Sequence, residues 1–212
     1  MNTNIKYMIE KGAVLPMFYL PPVEYFVQLN AYKPDIVIER EEHFPKQTYR
    51  NRANIYSPEG ILTLTVPVAK GSKTHRKIKD VKISYEFDWQ RLHWQSLGAC
   101  YRKSAYFEYY EDELQPFYDS KKQIPYLFDY NEQLLNLLLK FIKIKSEIKY
   151  TDEYHPEYPA VADFRSSINP KKETELEQKP YFQVFEERKG FLKNLSIVDL
   201  LFNQGPQSIN YL

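Results

Sequence analysis

The sequence has very little cysteine and glycine. Cys100 is the only cysteine among 212 residues, which excludes an internal disulfide framework and a metal site built from several cysteines. A single cysteine also favours a reducing compartment, and we therefore expect a cytoplasmic protein. Only six glycines are present, and the motifs G-x-x-x-x-G-K-[ST], G-x-G-x-x-G, G-x-S-x-G and H-E-x-x-H are all absent. No standard catalytic signature therefore identifies a reaction.

The sequence also lacks an excess of charge of one sign. Lys and Arg number 29 against 28 Asp and Glu, so the molecule as a whole has no field that would attract nucleic acid or an anionic membrane. A charged ligand would have to be bound by a local cluster. Long apolar runs are missing as well: the most apolar segment, EQLLNLLLKFIKIKSEI, is interrupted by lysines and predicts a buried core helix instead of a membrane span. The amino terminus has no apolar core of the kind found in signal peptides.

Histidine is sparse and scattered. His43, His75, His93 and His155 lie far apart with no ligand spacing, so we do not expect a zinc site made from them. Cys100 follows His93 by seven residues on a predicted helix, and the two could form a nucleophilic pair. A buried and inert cysteine is the favoured alternative, because free cysteine is among the most buried residue types. Tyrosine is abundant, with 19 residues, and most of these rings are expected to pack in the core.

Hydrophobic patterning predicts an α/β fold with a mixed sheet that is opened by a parallel strand–helix–strand unit. VLPMFYL (14–20) has the length of a strand and stops at two prolines, VEYFVQLNAY (23–32) has helical spacing, and DIVIE (35–39) is a second strand. Such a unit forms a right-handed parallel crossover, and ligands bind beyond the carboxyl ends of its strands. The loops after Tyr19 and Glu39 are therefore the expected location of a site.

A β-hairpin is predicted next, followed by a helical carboxyl-terminal half. Residues 53–68 alternate around the turn S-P-E-G, in which the positions of proline and glycine suit a type I turn. After a short strand, VKISY, Asp88 is the expected N-cap of a long helical stretch from Trp89 to about Tyr118, broken near Ser104. We expect one domain over 1–212.

Further helix signals follow in that half. Asp129 with Glu132 resembles a capping box before the apolar helix. Residues 168–180 are polar and bounded by prolines, which predicts a flexible surface loop. Helical spacing resumes in YFQVFEERKGFL, and Ser196 is the expected cap of a last helix that ends at Gly205.

Three segments, read together, carry a family resemblance. They are YLPPVEYFVQL, then KQTYRNRANI before LTLTVPV, then WQRLHWQSLGACYRKSAYF. In this order they resemble the WbqC-like family, and the ending YFQVFEERKGFLKNLSIVDLLFNQGPQS is similar to the closing segment of that family. The resemblance implies a role in building surface polysaccharides such as O-antigen, through a nucleotide-activated sugar or an acyl group. It does not imply a particular cofactor.

Two classes of function are compatible with these residues. As an enzyme, the protein would use His93, with Tyr25 or Tyr101, for proton transfer near neutral pH. As a non-catalytic binding or scaffolding protein, it would present a cationic surface that contains Arg50 and Arg52 to an acidic partner. His93 itself could instead be a core histidine satisfied beside aromatic rings.

An anionic small-molecule ligand is the expected partner of a segment rich in arginine. Arg50, Asn51, Arg52 and Asn54 are predicted to line a ligand pocket near the turn at Pro21 and Pro22. In an extended segment Arg50 and Arg52 would point to the same side, where both guanidinium groups could bind one carboxylate or phosphate. The basic loop of Lys70, Lys73, His75, Arg76 and Lys77 could close over that anion, or be solvated surface.

Overall fold

A parallel four-stranded sheet lies at the centre of the protein. The computed structural model describes residues 11–70 and 76–212. Within this part of the chain, the strands of the sheet are β1 (Ala13–Pro16), β2 (Ile36–Glu39), β5 (Lys149–Tyr150) and β6 (Ala162–Asp163). Their order across the sheet is β5-β2-β1-β6. All of its pairings are parallel. Helix α1 (Val23–Tyr32) connects β1 to β2, which confirms the predicted strand–helix–strand unit.

The predicted hairpin is confirmed as a separate two-stranded sheet. Strands β3 (Arg52–Ser57) and β4 (Gly60–Thr65) are antiparallel, and Ser57 pairs with Gly60 across the turn. Gly60 has a φ of +110°, a conformation that glycine adopts without strain. Leu64 is buried while its neighbours Thr63 and Thr65 are exposed, as the alternation predicts. The fold class is therefore confirmed, with the parallel and antiparallel strands in two sheets.

The second half of the chain is mainly helical. Its helices are α2 (Trp89–Tyr101), α3 (Phe107–Leu114), α4 (Leu127–Ile142), the single turn α5 (Glu186–Lys189) and α6 (Ile197–Gln204). Short 3₁₀ turns cover 78–80, 115–118 and 205–211. The carboxylate of Asp88 accepts a hydrogen bond from the backbone N–H of Arg91 and caps α2, as predicted. Among the described residues, every helix is too short or too polar to span a lipid bilayer.

Helix α4 contributes ten buried residues to the core. Its predicted core positions Leu135, Leu138, Leu139 and Ile142 are all at most 5 % exposed. The helix ends at Lys143, which has a φ of +63° and whose backbone N–H bonds to carbonyls of the last turn. The prediction of a buried core helix is confirmed, although the helix stops before the lysine-rich segment 143–148.

Several local predictions are wrong. Helix α4 begins at Leu127, so Asp129 lies inside its first turn and does not cap it. VKISY makes only isolated bridges, and residues 181–192 contain one helical turn, α5. Ser196 precedes α6, but its hydroxyl donates to the carbonyl of Leu20 and does not cap the helix.

The start of α1 is completed by residues near the end of the chain. Pro22 precedes α1 and provides no side-chain cap. The backbone N–H of Val23 donates to the carbonyl of Leu195 over 3.0 Å, and that of Glu24 donates to Oδ1 of Asn194 over 2.9 Å. These bonds satisfy donors that a helix leaves free at its first turn. The proline turn is therefore packed against the segment that precedes α6.

Candidate functional site

A cleft of about 320 Å³ lies beyond the carboxyl ends of β2 and β6. Its charged lining comes from Glu42, Arg50, Asp163 and Arg165, and its other lining residues include His43, Tyr154 and Ser166. After β1 the chain adds β2 and then β5 on one side of β1. It then returns to add β6 on the other side. Strand order thus reverses beside β1, and ligands of open α/β sheets bind in the crevice at such a reversal.

Arg50 and Glu42 form a buried ion pair in this cleft. Nε and Nη2 of Arg50 donate to Oε1 and Oε2 of Glu42, each over 2.7 Å, in a bidentate arrangement. Nη2 also donates to the carbonyl oxygen of Arg165 over 3.0 Å. Arg50 is only 2 % exposed, and its guanidinium lies 5.5 Å from the centre of the Phe18 ring. Burial raises the pKa of Glu42, and the hydrogen bonds from Arg50 oppose that rise.

Arg165 is the centre of a second set of charged contacts. It binds Asp163 through Nε, over 2.9 Å to Oδ1, and through Nη2. Its Nη1 donates to Oε2 of Glu39 over 3.1 Å and to the carbonyl of His155 over 2.8 Å. Burial alone would raise the pKa of Asp163, but the hydrogen bonds and charge of Arg165 lower it. Arg165 therefore bridges the carboxylates of Glu39 and Asp163, which lie at the carboxyl ends of β2 and β6, the two strands on either side of β1.

Glu39 and the residues after it complete this edge. Glu39 is fully buried, and its Oε1 accepts from the hydroxyl of Thr151 over 2.7 Å and from the backbone N–H of Glu41 over 2.8 Å. Burial would raise the pKa of Glu41, but hydrogen bonds from Lys77 and Lys79 lower it to about 2. Lys77, from the described part of the basic loop, is thus already paired within the chain. Lys73 and His75 of that loop lie outside the described residues.

The predicted ligand-binding residues are divided between the cleft and the core. Arg50 lines the cleft. Residues 49–51 form a turn and β3 starts at Arg52, so the extended segment that was expected to align Arg50 with Arg52 is absent and that argument is wrong. The side chain of Asn51 donates to the carbonyl of Val66 over 2.9 Å. Arg52 is half-buried, and its Nε has no hydrogen bond to a described residue.

Asn54, Pro21 and Pro22 lie where the hairpin meets the carboxyl-terminal segment. The carbonyl of Asn54 accepts from the N–H of Ser196, and the carbonyl of Pro21 accepts from that of Ile197. Both prolines are buried. None of these three predicted residues lines the cleft at Arg50.

His93 lies in an aromatic cluster. Its Nδ1 is 2.9 Å from the hydroxyl of Tyr19, which is also 3.0 Å from the hydroxyl of Tyr118, and its ring lies 5.1 Å from that of Trp89. The imidazole is 7 % exposed. Burial lowers its pKa to about 4, so it is neutral at pH 7. His93 is not among the described residues that line the cleft.

The two tyrosines predicted for proton transfer are fully buried. Burial raises the pKa of both Tyr25 and Tyr101. The hydroxyl of Tyr25 has no hydrogen bond to a described residue. That of Tyr101 donates to Oδ1 of Asp199 over 2.8 Å and accepts from the backbone N–H of Tyr56 over 2.9 Å.

Asp199 is a buried carboxylate held by uncharged donors. Besides Tyr101, the hydroxyl of Tyr181 and the amide of Gln183 donate to its Oδ2 over 2.7 and 2.9 Å. Asp199 is fully buried, and burial raises its pKa to about 6 although these hydrogen bonds oppose the rise. This network links α2 and α6 with residues 181–183, and none of its residues lines the cleft.

Sequence reasoning missed most of the charged residues at the cleft. Glu39 and Glu42 had a usable signal, because they end the predicted strand DIVIE and begin the loop expected to hold a site. Asp163 and Arg165 had none, since β6 has only two residues and shows no periodicity. The described residues contain no cluster of His, Cys, Asp and Glu suited to a metal. Cys100 is buried as predicted, and burial raises its pKa to about 11.

Comparison with known proteins supports the resemblance read from the sequence. The profile of the WbqC-like protein family matches residues 17–161. The uncharacterized protein Rv1507c of Mycobacterium tuberculosis is 27% identical over 232 residues, which cover 96% of this chain and 98% of that protein. No solved structure matches the chain. Because the family match spans well over half of the sequence, the chain belongs to the WbqC-like protein family.

Proposed function

We propose that this protein is an enzyme of surface polysaccharide biosynthesis that handles a nucleotide-activated sugar or an acyl group, and that it binds the anionic part of its substrate at Arg50. The observation that carries the proposal is the Arg50–Glu42 pair in a concave cleft at the carboxyl edge of the parallel sheet. Concave, largely preformed clefts with a few converging polar groups are the usual form of small-molecule sites.

The chemistry of Arg50 suits an anion. Its planar guanidinium presents a rigid fork that binds carboxylates and phosphates in a bidentate manner. In the structure this fork is occupied by Glu42, which stands where a ligand anion would bind. The hydrogen bonds of Arg50 to described residues run from Nε and Nη2, and Nη1 is the nitrogen proposed to contact the phosphate.

Glu42 is the proposed acid or base of the cleft. A carboxyl group in a cleft whose pKa is raised by burial is a candidate for proton transfer near neutral pH. The predicted proton-transfer roles of His93, Tyr25 and Tyr101 stay predictions. So do the ligand-binding roles of the other predicted residues, which are Asn51, Arg52, Asn54, Pro21 and Pro22.

The alternative is a non-catalytic binding or scaffolding protein with a cationic surface. A scaffold would present its cationic groups on a flat and open face. Arg50 and Arg165 are instead buried and paired with carboxylates inside a concave cleft. This burial favours a small molecule over an acidic protein partner.

Calorimetric titration with UDP-glucose and with acetyl-CoA tests the proposal. We expect one of the two probes to bind the wild type and to stabilise it, by about 2.7 kcal/mol at a concentration 100 times Kd. Arg50→Lys keeps the charge but loses the fork, and we expect it to bind that probe at least about tenfold more weakly. Binding of neither probe, or equal binding by the lysine variant, would contradict the proposal.

Two controls keep this test specific. Arg91→Lys changes an arginine with a 59% exposed side chain on α2, and it should leave the affinity unchanged. Urea unfolding of each variant shows whether the Arg50 variant is folded at the temperature of the titration. Glu42→Gln is the second variant if Arg50→Lys does not fold, because it frees the fork while keeping the shape of the side chain.

A further inference from the structure

The rim of the cleft carries a tyrosine whose contacts are unusual for an exposed ring. Tyr154 lines the cleft, yet 46 % of it is exposed to solvent. Its ring lies 5.2 Å from the guanidinium carbon of Arg165, a distance at which a cation and an aromatic face attract each other. Tyr154 is therefore held by a charged group and still presents aromatic surface to the cleft.

Arg165 is fixed and cannot itself serve as the anion-binding group. All three of its nitrogens donate, to Asp163, to Glu39 and to the backbone carbonyls of His155 and Pro156. The Tyr158 ring lies 4.7 Å from its guanidinium carbon. Arg165 thus acts as a positioning residue that holds Tyr154 at the rim, while Nη1 of Arg50 is the nitrogen proposed to contact a ligand.

The other described residues that line the cleft are polar, apart from two prolines. Among the described residues that line the cleft, the apolar groups besides Tyr154 are prolines, and there is no aliphatic side chain that could pack against an acyl chain. Glu42 and Asp163 provide carboxylate oxygens, and Ser166 adds a hydroxyl group. Carboxylates accept hydrogen bonds from hydroxyl groups, and an aromatic face packs against the C–H groups of a saturated ring because its π face is electron-rich.

From this arrangement we propose that the cleft binds a sugar phosphate, with the sugar ring packed on Tyr154 and the phosphate at Arg50. This inference rests on the proposed function and narrows it from a sugar or an acyl group to the sugar. A cleft of about 320 Å³ lies at the lower end of the range of ligand pockets, which is about 300–1,000 Å³. That size suits one ring and its phosphate.

The test uses the full chain and four probes: glucose 1-phosphate, inorganic phosphate, UDP-glucose and acetyl-CoA. Affinities are measured by calorimetry for the wild type, Tyr154→Ala and Tyr154→Phe. We expect the wild type to bind glucose 1-phosphate more tightly than phosphate. Loss of the ring in Tyr154→Ala should weaken the binding of glucose 1-phosphate roughly 5- to 150-fold, the loss of affinity expected for one stacked ring. Tyr154→Phe keeps the ring and should bind within about twofold of the wild type.

Tyr109→Ala is the matched control. Tyr109 lies on α3, is 72 % exposed and does not line the cleft, so its removal should not change any of the four affinities. Inorganic phosphate provides an internal control, because Tyr154→Ala should bind it as the wild type does.

The outcomes separate the inference from the proposed function. If the wild type binds glucose 1-phosphate and Tyr154→Ala binds it equally well, the aromatic platform is wrong while the anion site at Arg50 stands. If only acetyl-CoA binds, the sugar assignment is overturned and the acyl branch of the proposed function remains. If none of the four probes binds, both the inference and the proposed function are wrong.

Discussion

Two buried polar clusters in this protein stabilise a buried carboxylate with different kinds of hydrogen-bond donor. At the carboxyl edge of the sheet, the buried Glu39 is paired with the guanidinium group of Arg165. Near α6, Asp199 is equally buried, but within the described part of the chain its donors are the uncharged Tyr101, Tyr181 and Gln183. Burial penalises a charge unless an opposite charge or hydrogen bonds compensate for it.

The difference separates a region suited to ligand binding from one suited to packing. The edge cluster fixes its charged groups in ion pairs beside an open cleft. The Asp199 cluster faces no part of that cleft and joins the hairpin to the helices through the hydroxyl of Tyr101. Burial raises the pKa of its carboxylate to about 6, so this group takes up a proton under mildly acidic conditions.

The largest effect should come from breaking the charge balance of the edge cluster. Arg165→Met removes the cation but leaves Glu39 buried at 0 % exposure, and an uncompensated buried charge costs about 3–5 kcal/mol. Urea unfolding of the wild type and the variant at pH 7 measures the loss. Arg91→Met, which removes an exposed arginine, should cost under about 1 kcal/mol. Equal losses in the two variants would show that the buried network contributes no more to the free energy of unfolding than an exposed arginine does.

A somewhat smaller effect is expected in the pH dependence of the Asp199 cluster. The pKa of Asp199 is raised from 3.8 to about 6 in the folded protein. The folded state therefore gains stability from this group below about pH 4 and loses it as the pH rises through 6, by about 3 kcal/mol in all. In Asp199→Asn this contribution should disappear, so the difference in unfolding free energy between variant and wild type should change between pH 4 and pH 7.

A carboxylate whose pKa is lowered has the opposite sign and titrates at lower pH. The lowered pKa of Asp163 stabilises the fold at neutral pH and loses that effect in acid. For this reason the unfolding free energy of Asp199→Asn is compared with that of the wild type at each pH, and not with its own value at another pH. Asp112→Asn, on the exposed face of α3, is the control for removing one negative charge. A constant difference between wild type and Asp199→Asn across the range would contradict the raised pKa.

The smallest of the three effects concerns one hydroxyl group. Tyr101→Phe deletes the group that donates to Asp199 and accepts from the N–H of Tyr56, which leaves a buried donor without a partner. The expected cost is about 1–3 kcal/mol, measured by urea unfolding. Tyr109→Phe, at a tyrosine that is 72 % exposed, should cost almost nothing. A loss of ligand turnover without a loss of stability would instead support the predicted proton-transfer role of Tyr101.

The sequence predicted those parts of the fold that rest on long periodic patterns. Strands β1 and β2, helix α1, the hairpin and α4 each contain enough alternating or helically spaced apolar residues to be recognised. Strands β5 and β6 have two residues each and could not be found in this way. Residues 181–192 have helical spacing, but Gln183 is drawn into contacts with Asp199 and Leu192, and only one helical turn forms.

A cleft lies near the loop after Glu39, where parallel strand topology predicts a site, but most of the charged residues that line it were not identified from the sequence. The topological rule depends on chain direction and not on any one side chain. The alignment of Arg50 with Arg52 failed because a turn precedes β3, and the ends of strands are the least certain part of a sequence prediction. Partners such as Arg165 are brought in by long-range pairing, which a local pattern does not record.

The way in which α1 is capped has a consequence for the order of folding during synthesis. The N–H groups of Val23 and Glu24 at its start bond to Leu195 and Asn194, about 170 residues later. A ribosome adds about 5–20 residues each second, so these groups must stay solvated for roughly 10–30 seconds after they are made. During that interval the first strand–helix–strand unit has every residue it needs except its cap. We therefore expect the nascent chain to hold the start of α1 in an open, chaperone-accessible state until Asn194 and Leu195 leave the ribosome.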